Sequence, residues 1–252
     1  MASGSDELEQ TWTQRGWDRL LSVQRPAVLA HLRAIRKKHP EATPEQVLRI
    51  LEKRYLAAVT AGGAATGAAA GVPGVGTVAA IGISGVETVG FLEASALYAQ
   101  SVAEVHGLST TDPERASTLV MALMLGPSGA KLVEQFTGEM NGTGQSRSAY
   151  WGETVTSRLP TKLVKPLADR VRRSFLKRFA ARQGGSVVLR AVPFGIGAVL
   201  GGAGNRLAGG KVVKATKDAF AAPPAVFPGE ILLGDDRKAL EGQQALDGGH
   251  VD

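Results

Sequence analysis

The chain contains no cysteine. This absence excludes disulfide bridges, thiolate metal ligands and a cysteine nucleophile. Aromatic residues make up only 5% of the chain, whereas 44% of the residues are apolar and 32 are glycine. The apolar content is therefore mostly Ala, Val and Leu, which favours close helix packing over a core of bulky rings. The acidic N-terminus has no apolar segment of the kind found in a secretory signal, so we expect no cleaved leader.

Charge is missing from one long stretch, residues 55–86, where 32 successive residues carry none. Glycine recurs there at every fourth position, so the glycines would share one face of a helix. A face of this kind lets a second backbone approach closely. Residues 191–210 repeat the design. The candidate helix-packing residues are Gly63, Gly67, Gly71, Gly197, Gly201 and Asn205.

The two small-residue segments allow three interpretations: membrane-inserted hairpins, the tight core of a soluble bundle, or segments that move between both states. An ordinary span needs about 20 apolar residues, and each arm is shorter. Hairpins that enter one leaflet or pack inside protein fit better, and we expect the two glycine faces to meet in one bundle. Glu87, at the edge of the uncharged stretch, is the carboxylate to watch, because a charge near membrane depth tends to be functional.

Local signals predict helices along the chain and no convincing strand. Thr43 begins a capping box and Asp112 is the N-cap of a later helix. A proline and three glycines within residues 71–76 predict a turn between helical arms at 57–70 and 77–106. The fold class is therefore all-α, a helical bundle with two glycine-rich hairpin segments and membrane insertion as one option.

The middle of the chain has an uncharged segment too short to span a membrane, which predicts a buried helix at 116–130. A small helix at 129–137 and a polar loop at 138–148 are expected to follow. A short contact by residues 231–233 is expected near the C-terminus. The predicted division is an N-terminal segment, partly disordered, at 1–24, a helical domain at 25–221 and a disordered tail at 222–252.

A basic amphipathic helix is predicted over residues 158–182. Between Arg158 and Arg190 the chain carries ten Lys or Arg and a single acid, while apolar residues recur at every fourth position. Such helices commonly lie on anionic membrane surfaces, although a solvated face is the plainer interpretation. Nucleic acid is disfavoured because no stacking aromatics are interleaved. The candidate anion-binding residues are Lys162, Lys165, Arg170, Arg172, Arg173, Lys177, Arg178 and Arg182.

No catalytic, metal-binding or cofactor motif stands out. The four histidines are scattered and none has a partner at metal-ligand spacing. We therefore predict no catalytic residue, no metal and no cofactor, and an enzyme with an unfamiliar site stays the less favoured option. The net charge of +6 favours an anionic partner.

Four segments are distinctive: AGGAATGAAAGVPGVGT at 61–77, the helix end at 98–108, Asp-Pro-Glu-Arg at 112–115 and the late segment at 192–205. In their order and approximate distances over residues 45–221 they resemble the EcsC protein family. One departure is His106-Gly107, where the family usually carries Tyr-Gly. The resemblance implies a helical, membrane-associated bacterial protein linked to transport or secretion, with no established enzymatic activity and no catalytic residues to transfer.

We therefore expect a non-enzymatic, membrane-associated helical protein at the cytoplasmic face of a membrane, either peripheral or partly inserted. It would bind anionic lipid through the basic helix, pack or insert glycine-zipper helices, and serve transport or secretion, with a transporter or secretion component as a candidate partner. The alternative is a soluble helical adaptor that binds an acidic protein. Specific nucleic-acid binding is not expected, and oligomers are compatible with the pattern.

Overall fold

The computed structural model describes residues 21, 23, 25–70, 77–108, 111–141, 150–185, 196–229 and 231. All secondary structure within these residues is helical, which confirms the all-α prediction. The predicted turn at 71–76 lies outside the described residues. The helices are α1 (Arg25–Lys38), α2 (Pro44–Ala70), α3 (Thr77–Val105), α4 (Pro113–Leu125), α5 (Pro127–Asn141), α6 (Trp151–Glu153), α7 (Thr161–Gly185) and α8 (Ile196–Ala219), with a π-helical turn, Thr154–Arg158, directly after α6.

The two predicted helix starts are confirmed by their hydrogen bonds. At α2 the backbone N–H of Thr43 donates to Gln46 Oε1 at 2.9 Å, and the N–H of Gln46 donates to Thr43 Oγ1 at 3.3 Å. At α4 Asp112 Oδ1 accepts from the N–H groups of Glu114 at 2.9 Å and Arg115 at 3.4 Å. Both caps satisfy backbone donors that a helix start otherwise leaves without a partner.

The helix predicted at 116–130 is wrong in its length, because it is broken at Gly126. Helix α4 ends at Leu125, Gly126 takes a positive φ of 60°, and α5 begins at Pro127. Proline disfavours helical geometry at the residue before it, and glycine adopts positive φ without steric cost. Helix α5 then continues to Asn141, into the segment predicted as a polar loop.

Helix α4 lies at the centre of the fold. It buries nine of its thirteen residues and contacts α3, α5, α7, α8 and the π-helical turn. Arg115 in its first turn donates to the backbone carbonyls of Val155 at 3.1 Å and Leu159 at 2.6 Å, which ties the π-helical turn to α4. Helices α2, α3 and α8 pack together beside it, with the most extensive contact between α2 and α8.

Residues outside the predicted domain limits also join the core. Phe227 and Ile231 are 8% and 1% exposed, although both fall in the predicted tail. The Arg36 guanidinium lies 4.4 Å from the centre of the Phe227 ring, a cation–π contact. Leu21, in the predicted N-terminal segment, is fully buried. The packed domain therefore includes residues on both sides of 25–221.

Candidate functional site

Helices α2 and α8 come into backbone contact at Gly63 and Gly201. A Cβ atom on Gly63 would overlap the carbonyl oxygen of Gly201 and lie 2.8 Å from its carbonyl carbon. A Cβ atom on Gly201 would likewise overlap the carbonyl oxygen of Gly63, and would lie 3.6 Å from the Cα atom of Gly67. Only a residue without a side chain fits either position at this helix separation.

The close contact continues along α8 toward its C-terminus. A Cβ atom on Gly202 would lie 3.2 Å from the carbonyl oxygen of Thr60 and 3.3 Å from Ala64 Cβ. A Cβ atom on Gly209 would lie 3.0 Å from Val59 Cγ2. Since each residue adds about 1.5 Å of helix, the small-residue contact extends for about 10 Å between these two glycines.

A polar side chain completes this contact and reaches a third helix. Asn205 Nδ2 on α8 donates to Glu87 Oε1 on α3 at 3.0 Å, and both residues are half-buried. The same Nδ2 atom lies 2.8 Å from the position of a Cβ atom on Gly63, so the side chain occupies the space that the glycine leaves. We call Gly63, Gly67, Glu87, Gly201 and Asn205 the glycine junction.

The structure brings four of the six candidate helix-packing residues together in this junction. Gly197 lies in the first turn of α8, and Gly71 lies outside the described residues. The sequence distinguishes Glu87 by its place at the edge of an uncharged stretch. Its partner Asn205 belongs to the predicted packing register, but no sequence signal connects the two residues.

Helix α7 packs its apolar side inside the domain. Leu167 and Val171 are fully buried, Phe175 is 4% exposed and Leu163 is partly buried. These residues belong to the predicted every-fourth-position stripe, and α7 makes its most extensive contact with α4. The apolar side of the helix is therefore occupied by the protein itself.

The opposite side of α7 is basic. Lys162, Lys165, Arg173 and Lys177 are exposed, and at 3.6 residues per turn they fall within an arc of about 120°. We call these four residues the basic face. None of them forms an ion pair with another described residue. The only acid of α7, Asp169, is bonded at 3.2 Å to Arg172.

The other four candidates of the basic helix do not join this face. Arg172 is only 7% exposed, so it is a buried residue rather than a surface cation. Arg170 pairs with Glu139 at 3.0 Å and holds α7 against α5. Arg178 is exposed but lies outside the arc, and the side chain of Arg182 lies outside the described residues.

The fold and these surfaces define an all-helical domain with a glycine junction and an exposed basic face. Within the described ranges, no group of three or more His, Asp or Glu side chains is arranged to hold a metal ion. No described helix is long and apolar enough to cross a membrane. Comparison of the chain with protein-family models, with curated proteins and with solved structures gave no match.

Proposed function

We propose that this protein binds the anionic headgroups of a membrane surface through the basic face of α7. The observation that carries the proposal is a row of exposed cations on a helix whose apolar side is already packed against α4. Each Lys or Arg close to an anionic membrane contributes about 1 kcal/mol. The four residues of the basic face therefore contribute about 4 kcal/mol, which is nearly a thousandfold in affinity.

This mode of binding differs from that of a free amphipathic helix. An interfacial helix buries its apolar face among the acyl chains, whereas Leu167 and Val171 of α7 are fully buried in the domain. The contact with lipid is therefore electrostatic and peripheral. It weakens with salt, because the screening length is about 10 Å at 0.1 M ionic strength and only about 3 Å at 1 M.

The glycine junction supports packing over insertion for the two small-residue segments. The backbones of Gly63 and Gly201 are in contact with each other, so these faces are not open to lipid. In this proposal the domain attaches as a folded unit to the cytoplasmic face of a membrane. An accessory role in transport or secretion, implied by the EcsC resemblance, is the wider setting and stays a prediction.

Sedimentation with lipid vesicles tests the proposal. The test variant combines Lys162→Gln, Arg173→Gln and Lys177→Gln. The matched control combines Lys37→Gln, Lys131→Gln and Lys211→Gln, which removes the same charge from exposed positions on three other helices. At low salt we expect the wild type and the control to sediment with phosphatidylserine-containing vesicles, and the test variant to bind about 100-fold more weakly.

Two outcomes would contradict this function. Equal recovery of the wild type with neutral and anionic vesicles would show that lipid charge is not recognised. Equal loss of binding in the test variant and the control would show that net charge, rather than the basic face, is responsible.

The second candidate function is an adaptor that binds an acidic protein. The rigid placement of the basic face on a packed helix favours it, because a fixed array of cations can match a fixed array of carboxylates. Retention on immobilised polyglutamate that is lost in the test variant, together with no sedimentation on anionic vesicles, would identify this function instead.

A further inference from the structure

A cleft of about 320 Å³ opens at the end of the domain where the N-terminal half of α2 meets the last turns of α3 and α8. Each helix contributes one stripe to it, and the lining residues Tyr98 and Val102 on α3 and His106 directly after its end follow at every fourth position. The cleft lies on helices other than α7 and is independent of the basic face.

Aromatic rings flank the cleft on two sides. Tyr98 stacks on Tyr55, with ring centres 4.7 Å apart and planes 10° from parallel. His106 stacks on Phe220, with ring centres 5.1 Å apart and planes at 25°. Leu48 adds an aliphatic side chain. Tyr98 and Phe220 are only 5% and 4% exposed, so a small part of each ring reaches the cleft, and contact with these parts favours a ligand that contains a ring.

Most polar groups that line the cleft already have partners inside the protein. Glu52 Oε2 and Lys217 Nζ form an ion pair at 2.7 Å. The Thr216 hydroxyl donates to a backbone carbonyl at 2.8 Å. The two ring nitrogens of His106 lie 2.8 and 3.1 Å from backbone carbonyl oxygens. The four charged side chains of the lining form two ion pairs, Glu52–Lys217 and Glu45–Arg49 at 2.8 Å, and their charges sum to zero, so the cleft suits a neutral ligand that leaves both pairs in place.

The Tyr98 hydroxyl is different. Tyr98 is 5% exposed, and no described residue forms a hydrogen bond with its hydroxyl, whereas the hydroxyl of the adjacent Tyr55 is bonded to Ser95 at 2.8 Å. Burial, with smaller effects of Glu52 and Tyr55, raises the pKa of Tyr98, so the hydroxyl keeps its proton and remains a donor. The hydroxyl oxygen is not one of the fully buried polar atoms that lack a partner, so it is accessible at the cleft, and an acceptor on a bound ligand would take the place of water there.

We propose that this cleft binds a small neutral molecule with a ring-containing apolar body and one polar group that accepts a hydrogen bond from Tyr98. Its volume is at the lower end of the range for ligand pockets, about 300–1,000 Å³, which suits a bicyclic compound better than a nucleotide. This binding is separate from attachment to membranes, and the experiment below succeeds or fails whatever the vesicles show.

Titration with 2-naphthol, followed by its fluorescence, tests the proposal on the full chain. We expect saturable binding. Tyr98→Phe removes the hydroxyl but keeps the ring, and should weaken 2-naphthol binding about fivefold, the equivalent of one hydrogen bond. The same variant should bind 2-methylnaphthalene as the wild type does, because that probe has no group to accept the bond. Tyr150→Phe, at a tyrosine that is 43% exposed and outside the cleft, is the matched control and should change neither affinity.

A second variant tests the location. Leu48→Trp should fill the cleft and abolish binding of both probes while the thermal unfolding midpoint shows a folded protein. If that variant does not fold, Leu48→Phe provides the smaller filling, with a proportionate loss. Absence of saturable 2-naphthol binding, or unchanged 2-naphthol affinity in the Leu48 variant, would overturn the proposal. Unchanged 2-naphthol affinity in Tyr98→Phe would overturn the assigned hydrogen bond. A loss in Tyr98→Phe that is equal for both probes would overturn the assigned hydrogen bond.

Discussion

Two neighbouring glycines of α2 offer a direct measurement of how tightly α2 and α8 pack. Gly62 is exposed, and a Cβ atom on it would meet nothing within 4 Å. Gly63 is buried, and a Cβ atom on it would overlap the carbonyl oxygen of Gly201. The substitutions Gly62→Ala and Gly63→Ala therefore add the same methyl group to the same helix in opposite surroundings.

The magnitudes separate the two variants clearly. Alanine is favoured over glycine in a helix interior by about 1 kcal/mol, and both variants gain this term. Overpacking costs about 1–3 kcal/mol. The obstruction at Gly63 is backbone, which cannot rotate aside, so we expect the upper end of that range. Gly62→Ala should then raise the free energy of unfolding by about 1 kcal/mol, and Gly63→Ala should lower it by about 2 kcal/mol.

Urea unfolding followed by far-ultraviolet circular dichroism measures both values. Because the helix-propensity term is common to the two variants, their difference isolates the packing cost. The same comparison can be repeated on α8, where Gly201 contacts the backbone of α2 and a Cβ atom on Gly204 would meet nothing within 4 Å. Equal unfolding midpoints for Gly62→Ala and Gly63→Ala would refute the contact between the two helix backbones.

Two further predictions concern polar groups of the same bundle. Asn205→Leu removes the donor to Glu87 and should lower the free energy of unfolding by about 1–3 kcal/mol; a double-mutant cycle with Glu87→Ala in urea would show no coupling if the pair did not interact. Burial raises the pKa of Tyr55 to about 12 from the ordinary value of 10.0, so the unfolded chain loses this proton first as the pH rises. Stability should therefore fall by about 2 kcal/mol between these two pH values, and the slope, read from urea midpoints, should be smaller in Tyr55→Phe; an unchanged slope would contradict the assignment.

Helix starts could be predicted from the sequence because their partners are close along the chain. The bonds of Thr43 and Asp112 reach residues only two or three positions away, so spacing alone determines them. The break at Gly126 carried a signal of the same kind, a glycine directly before Pro127. Residues 116–130 carry no charge, and this uniform composition favours one continuous helix. The prediction therefore gave the glycine and proline too little weight.

The exposed part of the basic helix could not be predicted from charge density. Arg172 directly follows the buried Val171 and is itself only 7% exposed, although Arg170, two positions earlier, pairs with Glu139 on the surface. The buried side is therefore wider than the apolar stripe. The long aliphatic stem of an arginine lets it pack at the edge of the buried side, next to the apolar stripe. Only the arrangement of the neighbouring helices shows which basic residue does so.

The cleft and the glycine junction show the same limit for sites shared by three helices. The four-residue spacing of the glycines shows which side of each helix lacks bulky side chains, and the two helices meet on these sides at Gly63 and Gly201. It does not show that α3 places Glu87 beside Asn205, since the two residues are 118 positions apart. The lining of the cleft likewise combines ordinary core positions of three helices, such as Tyr98 and Phe220, and has no motif of its own.

For the proposed binding of lipid by α7, packing energies favour a mode in which the helix stays in the domain. Moving Leu167, Val171 and Phe175 into acyl chains would keep these side chains away from water, but it would expose the matching face of α4. At about 1.5–3 kcal/mol for each buried apolar side chain, that exposure costs about 5–9 kcal/mol, a large part of the 5–15 kcal/mol that stabilises a typical domain. Docking through the basic face retains this packing and still gains about 1 kcal/mol for each cation. Peripheral docking is therefore favoured over insertion of α7 on any membrane that leaves the rest of the domain folded.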